Sequence, residues 1–228
     1  MAIDVLEMAR RYRSLYAAAV YDVLDEMGYP AQCLSLAIRP LRRDMVVAGP
    51  AFTVVGRRDP RVEGEFNNPK LEDFRMLEAI TAGSVIVVNA ESGNPVGHWG
   101  DLMSAAARAR GAVGIVIDGG IRDSRILLEM EDWPVFVRYT SPIESDKRWR
   151  VEDFQTPIAM SGSLTSQVRV NPGDWIFGDA DGVIVMPAHL AEEVLVKAEA
   201  IKQMEDKVRG ELSTGARVKE VFDRYKRL

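Results

Sequence analysis

Asp101 stands directly ahead of Leu102 and Met103, and twenty residues separate it from an Arg122-Asp123 step that follows Gly119-Gly120. These residue types suit one chemistry. Two carboxylates supply hard oxygen ligands for Mg²⁺ or Mn²⁺, and such cations keep waters and take only one or two protein carboxylates. A guanidinium offers a planar fork to a substrate carboxylate, or positive charge where an oxyanion develops. The first turn of a helix starting near Asp101 would present unpaired backbone N–H groups, from Leu102 and Met103, to an anion. Such a set could hold a divalent cation and an anionic substrate in one cavity.

Each residue also has a plainer role. Asp101 could be a helix N-cap, and a carboxylate with two oxygens can cap and ligate at once. Arg122 and Asp123 could be a surface pair at a helix start. His98, in Gly97-His98-Trp99-Gly100, is either a substrate contact or a packed imidazole. His189 opens the long C-terminal helix and reads as structural.

For Asp101 and the Arg-Asp step to meet, both must lie at the carboxyl ends of strands, where α/β proteins bind ligands. The apolar runs 84–89, 113–118 and 134–137 supply such strands, and residues 102–110 and 122–130 read as the helices between them. Near-continuous apolar strands alternating with helices predict parallel pairing with both faces covered. The first 28 residues read as helical, ending at Gly28 and Pro30. Residues 46–55 are β-rich and broken at Gly49-Pro50. Residues 56–70 read as a loop, and a helix runs from Leu71 toward Gly83. Residues 142–156 form a polar connection. Short strands are predicted at 157–160, 164–170, 174–177 and 183–186. Asn171-Pro172-Gly173-Asp174 and Asp179-Ala180-Asp181-Gly182 read as turns between them; the second lacks the spacing of a Ca²⁺ loop. Helices over 188–209 and 216–227 close the chain. With no internal repeat, one domain over 1–228 is expected.

Composition excludes several classes. The 228 residues are 47% apolar and 28% charged, the balance of an ordinary globular protein. A net charge of −5 argues against a general nucleic-acid binder. Arg10, Arg11 and Arg13 read as a solvated helix face. Cys33 is the single cysteine, so neither an intrachain disulfide nor a cysteine-type zinc site is available. No apolar run reaches membrane-span length and no secretory signal opens the chain, so a cytoplasmic protein without a membrane partner is expected. Gly-x-Ser-x-Gly, Gly-x-Gly-x-x-Gly and P-loop motifs are absent. No lysine sits at the end of an apolar strand, where burial would prepare it for Schiff-base work.

Asp101 with its long spacing to Arg122-Asp123 resembles the signature of the RraA-like family. That family contains the class II 4-hydroxy-4-methyl-2-oxoglutarate aldolases and the regulators of ribonuclease E activity. Residues 20–24 (Val-Tyr-Asp-Val-Leu), 111–123, 134–136 and 172–183 also look like family segments. The resemblance implies an α/β fold, a layered β/β/α sandwich of the swivelling-domain type with N- and C-terminal helices. It implies a homotrimer or a dimer of trimers with sites between subunits. Carried over, Asp123 binds Mg²⁺ or Mn²⁺ directly and Asp101 reaches it through a water. Arg122 contacts the oxo-acid, and the backbone of Gly100, Leu102 and Met103 takes its carboxylate. A glutamate from a neighbouring subunit completes the outer shell, with Glu205 the first candidate and Glu199 the second. Some relatives carry a methyltransferase name, but no methyl-donor motif is present here.

The implied reaction is retro-aldol cleavage of a 2-oxo acid to pyruvate, with oxaloacetate decarboxylation through the same enolate. The rival from another class is a non-catalytic regulator that binds an RNA-degrading enzyme. A second rival is an oxo-acid lyase with another acceptor, its specificity set by residues 56–70 and 142–156.

Overall fold

A computed structural model describes residues 3–61, 71–91 and 95–227. The helices are α1 (Val5–Tyr12), α2 (Ala17–Glu26), α3 (Leu71–Ala79), α4 (Asp101–Ala109), α5 (Ser124–Glu129), α6 (Ala191–Ser213) and α7 (Val218–Tyr225). The strands up to the middle of the chain are β1 (Arg39–Pro40), β2 (Val47–Arg58), β3 (Val85–Asn89), β4 (Gly97–Trp99), β5 (Gly114–Asp118) and β6 (Gly120–Ile121). They are followed by β7 (Val135–Val137), β8 (Tyr139–Thr140), β9 (Trp149–Phe154), β10 (Ile158–Ser161), β11 (Gln167–Val170), β12 (Trp175–Asp179) and β13 (Gly182–Met186).

The main sheet runs β1-β7-β5-β3-β2-β12-β13, with β9 also on β2. Its centre, β7-β5-β3-β2, is parallel, as the buried apolar strands require. Alternation along β3 shows why both faces are covered. Val85 and Val87 join the core inside the sheet, while Ile86 and Val88 join the one under the helices α3–α5. A third cluster packs α1, α2 and α6 on β12 and β13. The sheet is nearly closed: Arg39 of β1 donates to the carbonyls of Ala180 and Asp181 in the β12–β13 turn, and Val185 N–H donates to Gln32 O. The result is a mixed α/β fold with helices near both ends of the chain. No helix among the described residues is long and apolar enough to cross a membrane.

Three elements differ from the expectation. The N-terminal helical stretch is two helices. Tyr16 is extended, and the first N–H of α2, from Ala17, donates to Asp179 Oδ2 at 2.7 Å. A remote acid thus caps a helix whose own sequence offers no cap. Gly49-Pro50 does not break the second strand: β2 runs through it to Arg58. Pairing with β3 begins at Ala51, so the missing N–H of Pro50 removes no ladder bond. A Cβ on Gly49 would lie 2.5 Å from Gly83 O, so the glycine permits a close backbone approach. Finally, the polar stretch 142–156 contains β9. Beyond β12, the free half of the β2 edge pairs with it from Val54↔Phe154 to Arg58↔Trp149. The first part of the expected 56–70 loop is strand, and residues 62–70 lie outside the described residues.

Candidate active site

The site is set by a small parallel sheet, β4-β6-β8. Gly97 lies opposite Gly120 and Trp99 opposite Ile121, so the ends of β4 and β6 are neighbours. Arg122 N–H donates to Trp99 O at 2.9 Å, and Ser141 N–H to Ile121 O at 2.8 Å. β4 leads into α4 and β6 into α5, which brings Asp101 and the Arg-Asp step to one place despite their separation in sequence. Glycine makes the approach possible. A Cβ on Gly97 would sit 2.7 Å from Arg122 N, and one on Gly100 2.6 Å from Asp123 Oδ2.

Gly100, not Asp101, is the N-cap of α4; Asp101 is its first helical residue. The reason is that Gly100 must be extended and bare to pass Asp123. The Asp101 side chain is therefore not used as a cap, and it makes no hydrogen bond or ion pair among the described residues. The first helical bond in this turn runs from Ser104 N–H to Gly100 O, and Trp99 O is already taken by Arg122. The N–H groups of Leu102 and Met103 are left as open donors at the positive end of the helix.

Asp123 is the N-cap of α5 in the left-handed region, φ 59°, and it also makes no capping bond. Aspartate tolerates this conformation better than most residues. Its Oδ2 accepts from Arg122 Nε at 3.2 Å, and Oδ1 has no partner among the described residues. The other end of the Arg122 fork reaches Glu144 Oε1 at 3.4 Å. Asp101, Asp123, Arg122 and the start of α4 line one cavity of about 440 Å³. Leu102, 80% exposed, and Phe74, 55% exposed, also line it.

His98 lines the same cavity but is 2% exposed. Its Nδ1 accepts from Gly120 N–H at 3.1 Å, and its ring meets Trp149 edge-on with centroids 5.0 Å apart. Burial lowers its pKa to about 4, the Gly120 contact opposing only part of the shift, so the imidazole is neutral. It supports the Gly119-Gly120 turn whatever else it contacts.

Asp118 is a positioning residue that the sequence reading passed over. Buried at the end of β5, it pairs with Arg138 through Oδ1 and accepts from Ser161 N–H through Oδ2 at 2.7 Å. Arg138 N–H in turn holds Gly119 O at 3.0 Å. The turn that carries Arg122-Asp123 is thus clamped from both sides. The available signal was an acid ending an otherwise apolar strand, Gly-Ile-Val-Ile-Asp.

Glu205 lies outside the cavity lining. Within its own chain it accepts from Tyr16, from Arg209 at 2.7 Å and from Arg227 at 2.8 Å. Burial raises its pKa, but the bonds from Tyr16 and Arg227 outweigh this and hold it below the usual carboxylate range. Glu199 is likewise held, by Arg11 through both oxygens. In this chain both acids tie the N-terminal helices to α6.

The donor set fits a hard cation. Among the described residues no three His, Cys, Asp or Glu side chains converge. Asp123 Oδ1 and the Asp101 carboxylate, both unbonded and both on the cavity, form the sparse carboxylate pair that suits Mg²⁺ or Mn²⁺ with waters and substrate filling the remaining positions.

The chain is similar to proteins of one family. A family model described as RraA-like, Aldolase/RraA, matches residues 17–185. A Halalkalibacterium halodurans protein named "Putative 4-hydroxy-4-methyl-2-oxoglutarate aldolase" is 33% identical over 204 residues, 90% of this chain and 87% of that one. Protein DlpA of Legionella pneumophila is 28% identical over 92% of this chain, which spans only 32% of DlpA. Streptomyces coelicolor RraAS2, described as an unusual member of the RNase ES inhibitor RraA protein family, superposes with TM-score 0.75 at 26% identity, covering 92% of this chain and 98% of that one. A structure described among novel cellulases from gut-associated microbes gives TM-score 0.81 at 34% identity, covering 91% and 89%. The family match takes in the small sheet, the glycine-lined approach and the Arg-Asp step, and on these grounds the chain belongs to the RraA-like family.

Proposed function

We propose that the protein is a divalent-metal-dependent lyase of 2-oxo acids. It cleaves substrates such as 4-hydroxy-4-methyl-2-oxoglutarate to pyruvate and decarboxylates oxaloacetate at the same site. The observation that carries this reading is the passage of bare Gly100 against Asp123, which gathers two carboxylates, a guanidinium and open helix N–H groups on one cavity. The aldolase name of the Halalkalibacterium relative supports it.

Asp123 and, through water, Asp101 would hold the cation, which when bound supplies Lewis acidity to the C2 carbonyl of the substrate. The N–H groups of Leu102 and Met103 bind the C1 carboxylate. As the C3–C4 bond breaks, its electron pair moves toward the C2 oxygen, and Arg122 places positive charge there. Asp101, with no side-chain bond among the described residues, accepts the proton leaving the C4 hydroxyl, directly or through a water. For oxaloacetate the same cleavage releases CO₂ and needs no base; in both reactions C3 then takes up a proton, from the Asp101 carboxyl or from water, to give pyruvate.

The reading includes a homotrimer or hexamer in the cytoplasm. The exposed Leu102 and Phe74 at the cavity support burial of this face by a second copy. Light scattering of the purified protein measures the assembly. The decisive experiment follows pyruvate release from 4-hydroxy-4-methyl-2-oxoglutarate with Mg²⁺ or Mn²⁺ and after chelation. Chelation and Asp123→Ala should each abolish turnover. No turnover by the wild type, together with tight binding to a ribonuclease, would replace the enzyme by a regulator.

A further inference from the structure

The Arg122 side chain crosses the end of β4 over two glycines. A Cβ on Gly97 would lie 2.8 Å from Arg122 Cβ, and one on Gly100 3.2 Å from Arg122 Cγ and 3.7 Å from Cδ. On the other edge of β4, Glu144 forms a parallel bridge with Gly97. The aliphatic stem therefore runs from the end of β6 over β4 toward Glu144, where Nη1 meets Oε1 at 3.4 Å. The backbone around Glu144 is tied down on both sides. Ahead of it, Gly97 N–H donates to Ile143 O at 2.8 Å, and Ser141 Oγ accepts from Ile143 N–H and donates to Pro95 O. Behind it, Arg148 Nη1 donates to Glu144 O at 3.2 Å, and the N–H groups of Arg148 and Trp149 both donate to Ser145 O.

Nothing else engages the Glu144 carboxylate. It lines the cavity, and Arg122 is its sole side-chain partner among the described residues. The Glu144 side chain is 54% exposed, and a pair this open to water contributes little to stability. What it fixes is direction. With Nε on Asp123 Oδ2 and Nη1 beside Glu144, the planar fork is held at two corners, and Nη2 has no partner among the described residues. Once Asp123 serves a cation, less of its charge is left for Arg122, and Glu144 is the remaining anion on the guanidinium.

We propose that Glu144 is a positioning residue: it holds Nη1 of Arg122 so that Nη2 stays open to the substrate oxygen on which charge develops. This rests on the reading of the cavity as a metal-dependent 2-oxo acid site with Arg122 beside that oxygen. The role runs against simple charge repulsion. A carboxylate next to a site for anions repels them, so on charge alone its removal would tighten binding. As a positioning residue, its removal loosens binding, and does so only while Arg122 is present.

The test is a double-mutant cycle on the Mg²⁺-loaded protein. The wild type, Glu144→Ala, Glu144→Gln, Arg122→Met and the double variant are titrated by calorimetry with oxalate, a planar dianion shaped like the enolate of pyruvate. Values of kcat and KM for pyruvate release are measured alongside. Glu144→Ala should weaken oxalate binding and lower kcat by about tenfold each, short of the roughly hundredfold cost of displacing a catalytic group by about 1 Å. Its Tm should stay within about 4 °C of the wild type, as for any exposed pair. Glu144→Gln keeps an acceptor at the same reach and should recover part of both losses. On the Arg122→Met background, adding Glu144→Ala should leave oxalate affinity unchanged or raise it. Oxalate binding by a wild type that turns over no 2-oxo acid counts against the lyase alone, and the binding cycle still decides the role of Glu144. A wild type that binds no oxalate removes the 2-oxo acid reading and this role with it. The role by itself is overturned if Glu144→Ala binds oxalate as tightly as the wild type or more so, or if its loss persists on Arg122→Met.

Discussion

Gly100→Ala tests the central contact most directly. The backbone at 100, φ −138° and ψ −169°, is open to any residue, so the cost is steric rather than conformational. The new methyl would lie 2.6 Å from Asp123 Oδ2, 0.8 Å short of ordinary contact at 3.4 Å, and 3.2 Å from Arg122 Cγ. Asp123 cannot retreat through its backbone, which is already held in the left-handed region, so the carboxylate must swing away. A displacement near 1 Å in a catalytic group costs about a hundredfold in rate. The fold should suffer less. Overpacking costs about 1–3 kcal/mol, partly offset by about 0.4–1 kcal/mol from a stiffer unfolded chain. At about 2–4 °C per kcal/mol for a chain of this size, Tm should fall by less than about 10 °C. Pyruvate release with saturating Mg²⁺ gives the rate, Mn²⁺ titration gives the affinity, and circular dichroism gives Tm. A variant that keeps activity within threefold and binds Mn²⁺ as the wild type does would refute the claim that this contact assembles the site.

Arg122→Lys should lower kcat/KM by about a hundredfold, because a point charge cannot serve Asp123, Glu144 and an oxyanion as a fork does; steady-state kinetics checks this. Asp118→Ala leaves Arg138 half-buried without its partner and strips Ser161 N–H of its acceptor, so stability should drop by about 3 kcal/mol, read from urea unfolding. His98 is neutral in the fold and takes up a proton in the unfolded chain, so its contribution is present above pH 6.5 and lost as pH falls toward about 4. Over that window the wild type should lose about 3 kcal/mol more than His98→Asn; parallel urea midpoints from pH 7 to pH 4 would contradict the assignment.

Much of the fold is local information. The runs at β3 and β5 are apolar on both faces, which already dictates a buried parallel pair, and Gly28 at φ 86° ends α2 where its lack of a Cβ permits. The two-residue turn Ala180-Asp181 between β12 and β13 was equally plain. The residues of the site were legible as types: two acids, one guanidinium, a helix start. What the sequence could not hold is any relation between remote segments. Asp179 capping α2, β9 pairing with the far half of β2, and Asp118 gripping Arg138 each join parts of the chain that carry no mutual mark in composition or period. Charged residues hid β9, because an edge strand alternates buried Trp149 and Val151 with Arg150 and Glu152 and so reads as polar until its partner is known. The sequence by itself determined which groups exist and where the central strands run. Only the tertiary structure decided that Gly100 passes bare beneath Asp123, because that distance is set by two strand ends packing side by side rather than by any spacing along the chain.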